Sequence, residues 1–131
     1  MKKKELNFLE SLYNKTLENE LTWDELEFGD VRQILDKMSQ PYHSIVRCYA
    51  TLSRKNYKYS TVGKVRIKIY LDEDEFVYEE YVFFAISSYD DFSNSIVYGE
   101  HELEADGIQL CNKIYRLIEE AEAEDAFDSF F

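Results

Sequence analysis

A chain of 131 residues with 45% apolar and 16% aromatic side chains, one Pro and four Gly can bury one sizeable core and has little material for a linker, which argues against intrinsic disorder. A formal net charge of −12 makes the whole molecule a poor ligand for DNA phosphates or an anionic membrane surface. Two cysteines far apart, Cys48 and Cys111, lack neighbouring Cys or His at metal spacing; they read as buried free thiols and not as a disulfide framework or zinc site.

The N-terminal MKKKELNFLE follows its lysines with Glu and Asn instead of an apolar signal region, and no apolar run reaches the 18 or so residues of a membrane span. The expectation is a soluble protein of the cytoplasm. Leu6, Leu9, Leu12, Tyr13 and Leu17 recur at helical spacing and predict an amphipathic helix over 4–19. Thr22-Trp23-Asp24-Glu25 has the form of a capping box, and Asp30-Val31-Arg32-Gln33 repeats it before Ile34, Leu35 and Met38. A short second helix is expected to end near Ser39, because Pro41 disfavours helix in Gln40.

From Ser44 the period changes to two. Val46, Cys48, Ala50 and Leu52 alternate with Arg47, Tyr49, Thr51 and Ser53, the pattern of a half-buried strand. SRKNYKYST reads as a polar connection, after which Val65, Ile67, Ile69 and Leu71 alternate with Lys64, Arg66, Lys68 and Tyr70. Phe76 to Ser88 is apolar on both parities, as in a central strand covered on both faces. A four-residue loop at Asp72 to Glu75 would set Leu71 opposite Phe76, Ile69 opposite Tyr78, Val65 opposite Val82 and Lys68 opposite Glu79. That register puts Glu80 on the core side beside Ile67 unless a bulge turns it out.

Ile96, Val97 and Tyr98 suggest a short last strand, with YDDFSNS before it as a turn. Asp106 looks like an N-cap for a helix striped by Ile108, Cys111, Ile114, Tyr115, Ile118 and Ala121. The expected organisation is one α+β domain over residues 1–131: helical over 1–40, an antiparallel sheet of three to four strands over 43–99, a C-terminal helix over 106–125 and an acidic, aromatic tail over 126–131.

Metalloprotease, P-loop, dinucleotide-binding and zinc-cluster spacings are absent. His101-Glu102-Leu103-Glu104 begins like a zinc-binding helix but lacks the second His, and His43 stands in no recognisable acid–base context. The DEDE run lacks the central Gly and distal Glu of a calcium loop. No catalytic residue, metal or cofactor is assigned, and an enzyme is not expected.

Charge is ordered in blocks: −4 over residues 1–36, +8 over 37–71 and −16 over 72–131. The basic block interleaves cations with tyrosines: Arg47, Tyr49, Lys64, Arg66, Lys68 and Tyr70 form a candidate surface for single-stranded nucleic acid, where phosphates meet charge and bases meet flat rings. The alternative is that these strands simply pair with the acidic strand beside them. In the acidic block Asp72, Glu73, Asp74, Glu75, Glu79, Asp90 and Asp91, with Tyr89 and Phe92 as aromatic anchors, are the candidate contacts for a basic protein. Carboxylates spread over one surface could imitate duplex phosphates and displace a partner's counterions; the bland alternative is that they keep a very aromatic chain in solution.

The terminal AEDAFDSFF resembles the acidic tails of bacterial and phage single-stranded DNA-binding proteins, without their penultimate Pro. In size, composition and charge the whole chain is similar to small acidic phage and mobile-element inhibitor proteins, including anti-CRISPR proteins and DNA mimics. That resemblance implies an inhibitor, monomeric or homodimeric, acting on a nucleic-acid-binding protein such as a phage-defence nuclease in a bacterial host. A single-stranded nucleic-acid binder and an immunity or antitoxin-like protein are the alternatives.

Overall fold

A computed structural model describes residues 1–130, apart from the side chain of Phe130. The elements run α1 (Lys3–Leu17), β1 (Asp24–Glu25), α2 (Phe28–Leu35), β2 (Ser44–Ser53), β3 (Lys58–Tyr70), β4 (Phe76–Ser88), β5 (Asp91–Tyr98) and α3 (Glu100–Phe130). The strands form one antiparallel sheet in chain order, an α+β architecture whose five strands exceed the three to four expected.

Both faces of the sheet are covered, which the half-buried reading of β2 did not anticipate. On one face Tyr49, Val62, Val82 and Phe84 pack under Leu9 and Leu12 of α1 and Leu103, Cys111, Ile114, Tyr115 and Ile118 of α3. On the other, Cys48, Val65, Phe83 and Ala85 pack against Val31, Ile34 and Leu35 of α2. Alternate residues of a strand point to opposite faces, so Cys48, Tyr49, Ala50 and Thr51 are all buried. Each fully buried side chain of this size contributes about 1.5–3 kcal/mol.

Several boundaries move for identifiable reasons. Asp24 and Glu25 do not open a helix; they pair with Ala50 and Tyr49. The turn of α2 begins two residues before Asp30, with Glu27 as its N-cap residue. Lys58 to Thr61 continue β3 instead of joining the preceding loop, because Ser60 and Thr61 are buried between β2 and β4. Only Tyr89 and Asp90 separate β4 from β5, so the expected turn over YDDFSNS is mostly strand.

The β3–β4 register differs by one residue from that expected. Tyr70 faces Phe76, Ile69 faces Val77, Lys68 faces Tyr78, Ile67 faces Glu79 and Arg66 faces Glu80. The loop is five residues long, Leu71 to Glu75, and the Leu71 N–H donates to the Glu75 carbonyl at 2.9 Å. The slip resolves Glu80 without a bulge: it is exposed opposite Arg66, whereas Glu79 lies across from Ile67 and not Lys68.

Helix α3 is broken at Glu104, whose φ of 58° is unfavourable for a side-chain-bearing residue. Its carboxylate is 2.7 Å from the Met1 ammonium. The helix runs through to Phe130, past the expected end, and every residue from Glu119 to Ser129 is exposed. Residues 126–130 are therefore a helical extension and not a separate tail, and Phe127, 73% exposed, is not tucked into the core. Phe131 lies outside the described residues.

Candidate functional site

The lengths of the strands create the most exposed feature of the molecule. Strands β3 and β4 each have 13 residues, but β2 stops pairing at Ser44–Arg66 and β5 begins only at Phe84–Tyr98. Helix α3 crosses the sheet at the level of Lys64, whose ammonium sits 4.6 Å from the centre of the Tyr115 ring. Beyond Arg66, β3 and β4 continue alone as a two-stranded arm, and ten consecutive residues, Leu71 to Glu80, are exposed.

One face of the arm carries Arg66, Lys68 and Tyr70 beside Glu80, Tyr78 and Phe76; the other carries Ile67 and Ile69 beside Glu79 and Val77. The Lys68 ammonium lies 3.8 Å from the centre of Phe76 and 5.1 Å from that of Tyr70. Tyr78 packs on Phe76 at 5.3 Å and on His43 at 4.9 Å. Cation–π contacts of this exposure contribute about 0.5–1 kcal/mol, a modest bias towards the paired arm. At the tip, Asp72 accepts the Glu73 N–H at 2.7 Å, leaving the remaining carboxylates turned to solvent.

Glu100 stands where β5 gives way to α3 and closes the arm's root. Its carboxyl is raised above the usual carboxylate range, first by burial and then by the nearby Glu79 charge, while the Val82 main-chain N–H donates to it and works in the opposite direction. Glu79 in turn bonds the Tyr81 hydroxyl. Nothing in the sequence distinguishes Glu100 from its acidic neighbours; its role comes from β4 and α3 meeting there.

The expected acidic contacts are divided by the fold. Asp72, Glu73, Asp74 and Glu75 form the tip and Glu79 lies on the arm, but Tyr89, Asp90, Asp91 and Phe92 lie at the opposite end of β4, about 40 Å away at ~3.3 Å per residue. The second group has its own local work. Tyr89 stacks on Tyr59 with ring centres 6.1 Å apart and planes 9° off parallel, and Phe92 packs on Tyr59 at 5.2 Å. Asp91 accepts the Ser93 N–H at 3.0 Å and the Ser93 hydroxyl, which holds its carboxyl below the usual range.

The basic set shares one sheet face, but α3 lies across half of it. Tyr49 is buried and donates its hydroxyl to Glu122 at 3.1 Å; burial pushes its phenol up to about 12. Arg47 pairs with Glu25 at 3.6 Å and Glu122 at 3.7 Å, and Lys64 is set on Tyr115. Arg66, Lys68 and Tyr70 remain on the arm. Helix α3 thus meets two cations of the basic block within the molecule, Arg47 through Glu122 and Lys64 through the Tyr115 ring.

Several open clefts lie beside α1. One, about 710 Å³, runs between α1 and the β2–β3 turn; another, about 370 Å³, lies between the end of α1 and the overhang of α3. Among the described residues, no group of three or more His, Cys, Asp and Glu is gathered as metal ligands would be. No described helix is long and apolar enough to cross a membrane. Cys48 and Cys111 are free and buried, their thiols pushed up to about 12 by desolvation. Comparison of the chain with family models, curated proteins and solved structures finds no match in any of the three.

Proposed function

We propose that this chain is a non-enzymatic acidic binding protein whose hairpin arm engages a basic partner, acting in the cytoplasm of a bacterial host as an inhibitor that occupies the nucleic-acid-binding surface of that partner, such as a phage-defence nuclease. The observation that carries the reading is the arm itself. Six carboxylates, Asp72 to Glu75 with Glu79 and Glu80, stand on ten consecutive exposed residues beyond the ends of β2 and β5. Surface charge presented in this way steers a cationic partner and is screened by salt. The arm contributes little to the core, so its charge is not demanded by folding.

Affinity capture with the intact protein at low salt, followed by mass spectrometry, tests the reading. A basic nucleic-acid-binding protein should be recovered and should elute as salt rises. Reversing Asp72, Glu73, Asp74 and Glu75 to Lys should abolish its capture. Recovery of no basic protein at low salt would sink the proposal.

Arg66, Lys68, Tyr70, Phe76 and Tyr78 sharing one arm face favours a second reading, a single-stranded nucleic-acid binder. Gel shifts with single-stranded and duplex DNA across a salt series separate the two. Tight, salt-sensitive binding of DNA itself would replace the first reading with the second.

A further inference from the structure

The arm has two edges, and they are not alike. In an antiparallel ladder the N–H and C=O of a residue point to the same neighbour and alternate along the strand. Val82 directs its N–H away from β3, to the Glu100 carboxylate. By the same alternation Glu80, Tyr78 and Phe76 direct their main-chain N–H and C=O groups away from β3 as well. Strand β5 does not reach them, since its pairing begins at Phe84. Three residues of β4 therefore form an open sheet edge in an exposed segment, the kind of edge that pairs with another strand unless something prevents it.

The charge along this edge selects what can pair there. Glu79 and Glu80 follow Tyr78 on opposite faces, Glu100 stands at one end and Asp72 to Glu75 at the other, while the cations Arg66 and Lys68 are on β3. A second copy of the chain brought edge to edge would set these carboxylates against each other, in a molecule of net charge −12. An extended segment carrying Lys or Arg would instead satisfy both the backbone groups and the carboxylates.

We propose that the free edge of β4, Phe76 to Glu80, takes up an extended basic segment of the partner protein by β-strand addition, with main-chain hydrogen bonds at Phe76, Tyr78 and Glu80 and side-chain pairing to Glu79 and Glu80. The inference rests on the reading of an acidic protein that meets a basic partner, and names how they join. Main-chain bonds supply affinity in this mode and the alternating side chains supply selectivity. The glutamates have a double use: they deter pairing with neutral or acidic strands and reward a basic one.

The test uses the intact protein and a fluorescein-labelled eight-residue peptide that alternates Lys or Arg with Val or Thr. Amide hydrogen exchange on binding should slow at Phe76, Tyr78 and Glu80 and stay unchanged at Val77 and Glu79, whose amides already face β3. Methylating alternate amide nitrogens of the peptide keeps its charge and blocks the ladder; binding should weaken tenfold or more. Tyr78→Pro removes one outward N–H without touching the β3 ladder and should weaken binding similarly, whereas Tyr78→Ala, which keeps the amide, should weaken it less. Should the proline variant fail to fold, the methylated peptide makes the same distinction on the unaltered protein.

Equal binding of the methylated peptide, absence of peptide binding at low salt, or slowed exchange confined to Asp72–Glu75 would each overturn strand addition. Concentration-dependent protection of β4 without peptide would overturn it in favour of a second copy. The larger reading fails separately: a basic partner captured equally by the wild type and Tyr78→Pro refutes the edge and keeps the function, while capture of no basic partner refutes the function.

Discussion

Replacing Gly63 by Ala tests the packing on which the arm is mounted. Gly63 lies between Cys48 on β2 and Phe83 on β4. A methyl group built on it would stand 2.4 Å from the Cys48 sulfur and 2.8 Å from two Phe83 ring carbons. Carbon contacts are comfortable at about 3.5–4.0 Å, so all three overlaps exceed a few tenths of an ångström. Neither neighbour has room to withdraw, being 1% and 0% exposed beneath α2. Overpacking of this kind costs about 1–3 kcal/mol. Reduced entropy of the unfolded chain returns roughly 0.4–1 kcal/mol, leaving a net loss of about 1–2 kcal/mol. For a domain of this size that is a fall in Tm of roughly 3–10 °C, measurable by calorimetry or circular dichroism. Cys48→Ala removes the closest overlap, so Gly63→Ala should cost at least ~1 kcal/mol less in that background. Undiminished stability of Gly63→Ala, or additivity of the two substitutions within about 0.5 kcal/mol, would refute the close approach of β2, β3 and β4.

Other expectations concern the surface and titration. Reversing Asp72 to Glu75 to Lys should lower the Tm by no more than about 6–8 °C, since exposed substitutions away from special features change stability by about 0.5 kcal/mol or less each and about 2 kcal/mol at most together; a larger collapse of stability would mean that the arm is structural. The thiols of Cys48 and Cys111 are raised from 9.0 to about 12 by burial, so the unfolded chain releases those protons first; stability should be full below about pH 9 and decline as pH rises towards 12. Native protein should correspondingly resist thiol reagents that label the denatured chain, and prompt labelling would contradict the burial. Ser93→Ala should raise the Asp91 pKa, followed by NMR titration, because the hydroxyl and the backbone turn that lower it are disturbed. Tyr49→Phe should cost about 0.5–1.5 kcal/mol through loss of the bond to Glu122, with no change in fold by circular dichroism.

How much was legible in the sequence varies by element. The apolar run from Phe76 to Ser88 marked β4 at both ends, and Leu9, Leu12, Ile114 and Ile118 were readable as buried helix stripes. The register of the arm was not, because a four- and a five-residue loop fit the same DEDE run; Leu71 closes the loop on Glu75 and shifts every pair by one. Tyr49 read as a surface ring on a basic strand, yet α3, more than sixty residues later in the chain, covers it. The acidic residues were visible as a composition, but their division between two ends of β4 followed from the length and course of that strand alone.

Local chemistry set what local chemistry can set: helical and alternating apolar spacing determined the helices and strands, and the order of charge placed carboxylates on β4 and cations on β3. The tertiary structure decided which of those side chains are free. Helix α3 neutralises Arg47 and buries Tyr49, α2 closes the opposite sheet face, and the early ends of β2 and β5 leave the arm and one edge of β4 uncovered. Exposure depends on neighbours distant in sequence, whereas periodicity reports only on residues a few positions apart, and for that reason the exposed arm emerges only once the chain is folded.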